Sequence, residues 1–214
     1  MSARLLAAFC LSNLVVCPGW GAFQDQPESE LVVYLSGGVQ PQRPLLYMKA
    51  ELGRLMSTAG YHIEWTDARD REKSSTYSQL TVVELRGTCE MTTLPAAKVG
   101  VLASTAVSGG KIIPFSSVDC ASLTRMLSAP LVAEPPARRD FLYGRAMARL
   151  LAHELYHVLL NTEGHSREGI AQAGFSTSDL LTEHFEFEAG TLAKLRPVPT
   201  TRGTGSAGDE GVGR

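Results

Sequence analysis

From residue 31 onward the hydrophobic positions fall first into a short unbroken block and then into helical spacing. Leu31 to Leu35 (LVVYL) is apolar and β-branched and stops at Ser36-Gly37-Gly38, the pattern of a buried strand. After Pro44, apolar residues recur at Leu45, Met48, Leu52, Leu55 and Met56, which predicts a helix over 45–59 ended by Gly60. Tyr61 to Trp65 (YHIEW) alternates and predicts a second strand, and a charged loop at 67–75 separates it from a third at 77–86. Val99 to Val107 and Lys111 to Val118 predict two more strands, joined antiparallel by the Ser108-Gly109-Gly110 turn. Val99 to Val107 is the candidate sheet edge, and Pro114 keeps its partner from pairing fully along its length. Beyond Pro135-Pro136 a long helical pattern starts near Ala137 or Arg138 and runs to Leu160, where Asn161 and Gly164 supply stop chemistry. A last helix is predicted over 178–189, capped by Ser176 or Ser178. Strand, helix, four strands, long helix and a small helical remainder make an α+β domain.

A chain of 214 residues accommodates one such domain. With 44% hydrophobic residues, 20% charged residues and a formal net charge of -2, it has no field to attract nucleic acid or anionic lipid. Residues 1–22 combine Arg4, the apolar stretch Leu5 to Val16 and a small-residue exit at Gly21-Ala22. This is the order of a cleaved signal peptide, and the run is too short to span a bilayer. The expected organisation is therefore a signal peptide at 1–22, a folded domain at 23–195 and a disordered Pro/Gly/Ser/Thr-rich tail at 196–214. The expected location is secreted or periplasmic, with no membrane span in the mature chain. Cys10 and Cys17 leave with the signal, so Cys89 and Cys120 form an even pair in an oxidising compartment and predict a disulfide.

The candidate chemistry lies in LLAHELYHVLLNTEGH at 150–165. A helix brings positions four apart onto one face, so His153 and His157 can both point at one metal ion. Imidazole nitrogen suits zinc, and Glu154 projects beside the metal, where it can reach a bound water. The surrounding Leu150, Leu151, Leu155, Leu159 and Leu160 make the helix apolar nearly all round and hence buried, so its polar groups need partners that a metal would supply. For the third ligand, His165 is the first choice and Glu163 the second; a residue of the last helix, Glu183, His184 or Glu186, follows. His62 lies on a strand remote from the motif.

HELYH at 153–157, the histidine that follows it and the preceding element order resemble the zincin metallopeptidases, and within them the metzincin side, as a divergent exported bacterial branch. The resemblance covers about residues 31–165, and the short motif is its specific part. It implies a twisted mixed sheet, a long active-site helix crossing behind it and a small helical C-terminal subdomain. It also implies that His153 and His157 hold Zn²⁺ and that Glu154 is general base and acid, in an exported enzyme that hydrolyses peptide or protein substrates with a Glu-activated, zinc-bound water. The chain departs from the metzincin pattern in three places. That pattern has glycine three residues after the second histidine and a third histidine three later, where this chain has Leu160 and Glu163; its methionine turn is also missing, since no methionine follows Met147. The competing expectation is a non-catalytic envelope binding or structural protein with the same fold and a structural or vestigial metal site.

Overall fold

A computed structural model describes residues 29–67, 79–95 and 97–197. The signal-peptide segment, most of the charged loop at 67–75 and the tail from residue 198 lie outside the described residues. Within them, β1 (Ser29–Gly37), α1 (Gln42–Thr58), β2 (Tyr61–Asp67), β3 (Leu80–Arg86), β4 (Ala103–Ser108) and β5 (Lys111–Asp119) are followed by α2 (Cys120–Leu131), α3 (Pro136–Leu160), α4 (Thr177–Leu181) and α5 (Ala189–Leu195). The five strands form one mixed sheet in the order β2-β1-β3-β5-β4. β2, β1, β3 and β5 are parallel, and β4 runs antiparallel to β5 at the edge. The α+β expectation and the edge position of the fourth strand both hold.

The β4–β5 hairpin follows from its glycines: Gly109 (φ 58) and Gly110 (φ 72) both take the left-handed conformation that a tight two-residue turn demands. The ladder slips between Thr105 and Val107, and β5 pairs with β3 only from Phe115 onward, so Pro114 sits where pairing is interrupted, as its missing N–H requires. β4 starts later than its apolar pattern suggests. Val99 and Val101 lie outside the strand and are solvent-exposed.

Two further differences from the sequence reading have local causes. α2 is a helix where none was predicted: the Asp119 carboxylate caps its start by accepting from the Ser122 backbone N–H at 2.7 Å, and Leu123, Leu127 and Leu131 bury one face. The helix predicted over 178–189 is instead the short α4, followed by irregular chain up to α5, which begins only at Ala189. Ser176 does cap α4, in a reciprocal box with Asp179, but Thr182 is extended and ends it. The carbonyls there accept from arginines of α3: Arg145 donates to Leu181 and Thr182, at 3.3 and 3.1 Å, and Arg149 to Asp179 and Glu183, at 2.7 and 3.3 Å.

α1 and α3 pack side by side, and their crossing is close because Gly144 has no side chain. A Cβ there would stand 2.6 Å from the Pro44 carbonyl oxygen and 2.6 Å from the Tyr47 Cβ. Gly→Ala inside a helix ordinarily stabilises by about 1 kcal/mol. Gly144→Ala is expected to do the reverse, with overpacking of about 1 to 3 kcal/mol prevailing and lowering the urea midpoint.

Cys89 and Cys120 are disulfide-bonded across a sequence separation of 31, tying the segment after β3 to the first residue of α2. A loop of that size is worth about 3 to 4 kcal/mol in the chain-entropy model. Replacing both cysteines by serine should lower unfolding free energy by that order, read from denaturant titration. No helix among the described residues is long and apolar enough to cross a membrane.

Candidate metal centre

Helix α3 is buried on all sides over its last turns, from Ala146 to Tyr156. Three of the helix's buried polar residues, His153, Glu154 and His157, are 7%, 5% and 8% exposed and line one cleft, so their partners decide what the site can do.

The partners of both imidazoles are fixed by backbone carbonyls. His153 Nδ1 lies 2.7 Å from the Ile170 oxygen and His157 Nδ1 lies 2.6 Å from the Thr162 oxygen. A carbonyl only accepts, so each Nδ1 carries the proton and donates it, which leaves both Nε2 atoms as bare acceptors on neutral rings. Those two Nε2 atoms are 3.0 Å apart. Two lone pairs facing at that distance repel unless a cation lies between them. Nitrogens bound to one tetrahedral zinc ion at about 2.05 Å are about 3.3 Å apart, so the pair already has nearly that spacing. Burial keeps both rings neutral: it pushes the His153 pKa down to about 4, and the neighbouring histidines add to the effect. His157 is lowered from its ordinary value for the same leading reason.

His165 completes the group. One candidate ligand atom from each of His153, His157 and His165 lies within 4.8 Å of the other two, and among the described residues no other such group of three occurs. The loop that delivers His165 is set by three local features. Asn161 ends α3 in the left-handed conformation (φ 47), the Thr162 carbonyl is held by His157, and the Gly164 carbonyl accepts from the Tyr156 hydroxyl at 2.9 Å. Asparagine tolerates that conformation better than other non-glycine residues, so Asn161 can end the helix and turn the chain there. The stacked His153 and His165 rings, 5.2 Å between centroids, show how closely the loop returns to the helix.

Glu154 faces the same cleft, a cavity of about 300 Å³ that β4 residues Ala103 to Thr105 line opposite the histidines. Its Oε2 accepts from the Thr105 hydroxyl at 2.6 Å. Burial pushes the Glu154 carboxyl up to about 7, with the Thr105 hydrogen bond opposing it. A carboxylate of that basicity beside a trio of imidazoles suits proton transfer.

The other ligand candidates fare differently. Glu163 lines the cleft but is not in the group. The Glu186 side chain is engaged by Arg54 at 2.7 Å, and Glu183 meets Arg149 through its backbone; neither they nor His184 joins the group. His62 lies on β2, at the other edge of the sheet from β4. Phe175 packs edge-on to His153 at 5.3 Å and in turn meets Phe185 at 5.8 Å. Sequence reasoning missed Thr105, whose only signal was its place in an alternating strand, and the carbonyls of Thr162 and Ile170, which carry no side-chain signature.

No family model matches this sequence, and no curated protein matches it. Among solved structures, the chain is similar to archaemetzincin from Methanopyrus kandleri, with 17% identity and a TM-score of 0.48 over 81% of this chain and 96% of that one.

Proposed function

We propose that the protein is an exported zinc-dependent metallopeptidase in which His153, His157 and His165 hold the metal and Glu154 is general base and then general acid. The observation that carries this reading is the pair of bare Nε2 atoms 3.0 Å apart, their tautomers fixed by carbonyls, with a buried carboxylate in the same cleft. When bound, zinc supplies Lewis acidity that acidifies an adjacent water and polarises a scissile carbonyl. Glu154, its Oε2 held by Thr105, takes the proton of the attacking water through its other oxygen and returns it to the leaving amine. The peptide lies along β4, whose outer edge is the last in the sheet, by strand addition. His153, His157 and His165 would give zinc three protein ligands, which would leave a position for water and substrate. That number favours catalysis over the structural alternative, since a purely structural site closes with four. The disulfide accords with export.

The test is metal analysis paired with digestion of a mixed peptide library. One zinc per chain and cleavage that a chelator abolishes and added zinc restores are expected; a zinc-loaded protein that cuts no peptide overturns the reading. Within the same measurement, His165→Ala should weaken zinc binding by more than about 100-fold, beyond the range of outer-shell changes, while Glu163→Ala should leave it within about twofold. The reverse pattern would make Glu163 the third ligand.

A further inference from the structure

We infer that Thr105, on the edge strand, is a positioning residue for the general base, an inference that rests on the peptidase reading above. Its hydroxyl stands 2.6 Å from Glu154 Oε2, 3.3 Å from the Glu154 backbone oxygen and 3.0 Å from the Ser116 hydroxyl. A hydroxyl has one proton to give, and the shortest contact, to a carboxylate, takes it. Thr105 then accepts from Ser116, whose side chain is fully buried. The order Ser116 to Thr105 to Glu154 is thus a directed chain of donors ending on one carboxylate oxygen.

Sheet register makes this chain possible. Thr105 and Ser116 are direct partners across the β4–β5 ladder, so their side chains share one face, and that face is turned toward α3. The ladder slips immediately beyond Thr105, between it and Val107. Thr105 therefore belongs to the regularly paired part of the hairpin, whose side-chain directions are fixed. A general base has to present one oxygen to water at a constant angle, and a carboxylate next to an open cleft rotates unless its other oxygen is anchored. Thr105 provides that anchor from the strand that also borders the proposed peptide path, so base orientation and substrate edge are set by the same element.

The experiment uses Thr105→Val, which keeps the shape and removes the hydroxyl, and Thr105→Ser, which keeps the hydroxyl. With zinc content equal to wild type, Thr105→Val should lower kcat about 10- to 100-fold with KM within about twofold, and Thr105→Ser should restore kcat to within about threefold. A second readout needs neither metal nor activity. In metal-free protein, urea unfolding of Thr105→Val, Glu154→Ala and the double variant should be non-additive, because both single changes break one contact. A wild type that cuts peptides alongside a Thr105→Val kcat within twofold of it overturns the positioning role and leaves the peptidase reading standing. Additive unfolding effects overturn the contact itself. A zinc-loaded wild type that cuts nothing overturns the peptidase reading and this inference with it.

Discussion

Glu154→Gln is expected to reduce peptide hydrolysis by about 10²- to 10⁴-fold while the protein still binds one equivalent of zinc. The substitution is close to isosteric, and the glutamine carbonyl can go on accepting from the Thr105 hydroxyl, so the cleft keeps its shape. The tautomers of His153 and His157 are set by Ile170 and Thr162 rather than by Glu154. What disappears is the only acidic side chain among the buried polar groups of α3, and with it the proposed acceptor for a water proton. Zinc content by atomic absorption and initial rates on the best library peptide give the two readings together. Activity retained within about tenfold would remove the base role from Glu154, and lost zinc would mean that the carboxylate is a ligand.

Arg149→Ala is expected to be the most destabilising single change in the C-terminal half, lowering unfolding free energy by about 3 kcal/mol or more. Arg149 lies one helical turn before His153 and is completely buried. Its guanidinium reaches the Asp179 and Glu183 carbonyls and the Glu51 carboxylate of α1, the last at 3.6 Å. Burial lowers its pKa only to about 10, so it stays charged near neutrality. One side chain therefore links α1, α3 and the irregular segment after α4. Arg149→Lys should recover little, because a single ammonium cannot reproduce a planar fork shared among three acceptors. Loss of the link should also reach the candidate metal group. The Ile170 N–H donates to the Glu186 carbonyl at 3.0 Å, and the Ile170 carbonyl holds His153. Zinc affinity, measured by competition with a chromophoric chelator, should fall about 10- to 100-fold along with the urea midpoint. An unchanged midpoint would show that the arginine fits the segment without holding it.

What the residues disclosed in advance follows from the range of the forces involved. The five strands, the two long helices and the β4–β5 turn are short-range patterns of apolar spacing and glycine, and they were legible. HELYH was legible because helical geometry alone puts His153 and His157 on one face. α2 was missed although Asp119 and the four-residue spacing of Leu123, Leu127 and Leu131 were there to be read. The helix predicted over 178–189 failed for a long-range reason: Arg145 and Arg149, 30 to 37 residues earlier, take carbonyls within it. No local propensity carries that information. The choice between His165 and Glu163 was open for the same kind of reason, since it depends on the left-handed turn at Asn161 and on the Tyr156 tether. Thr105 reaches Glu154 across 49 positions of sequence, and only the folded register brings them together.

The Cys89–Cys120 bond has a topological consequence. It makes a covalent ring of the backbone that carries the whole β4–β5 hairpin, including Thr105 and Ser116. A nick anywhere between the two cysteines opens that ring without freeing a fragment. The halves stay tethered, and the sheet floor facing Glu154 remains attached to the helix that bears it.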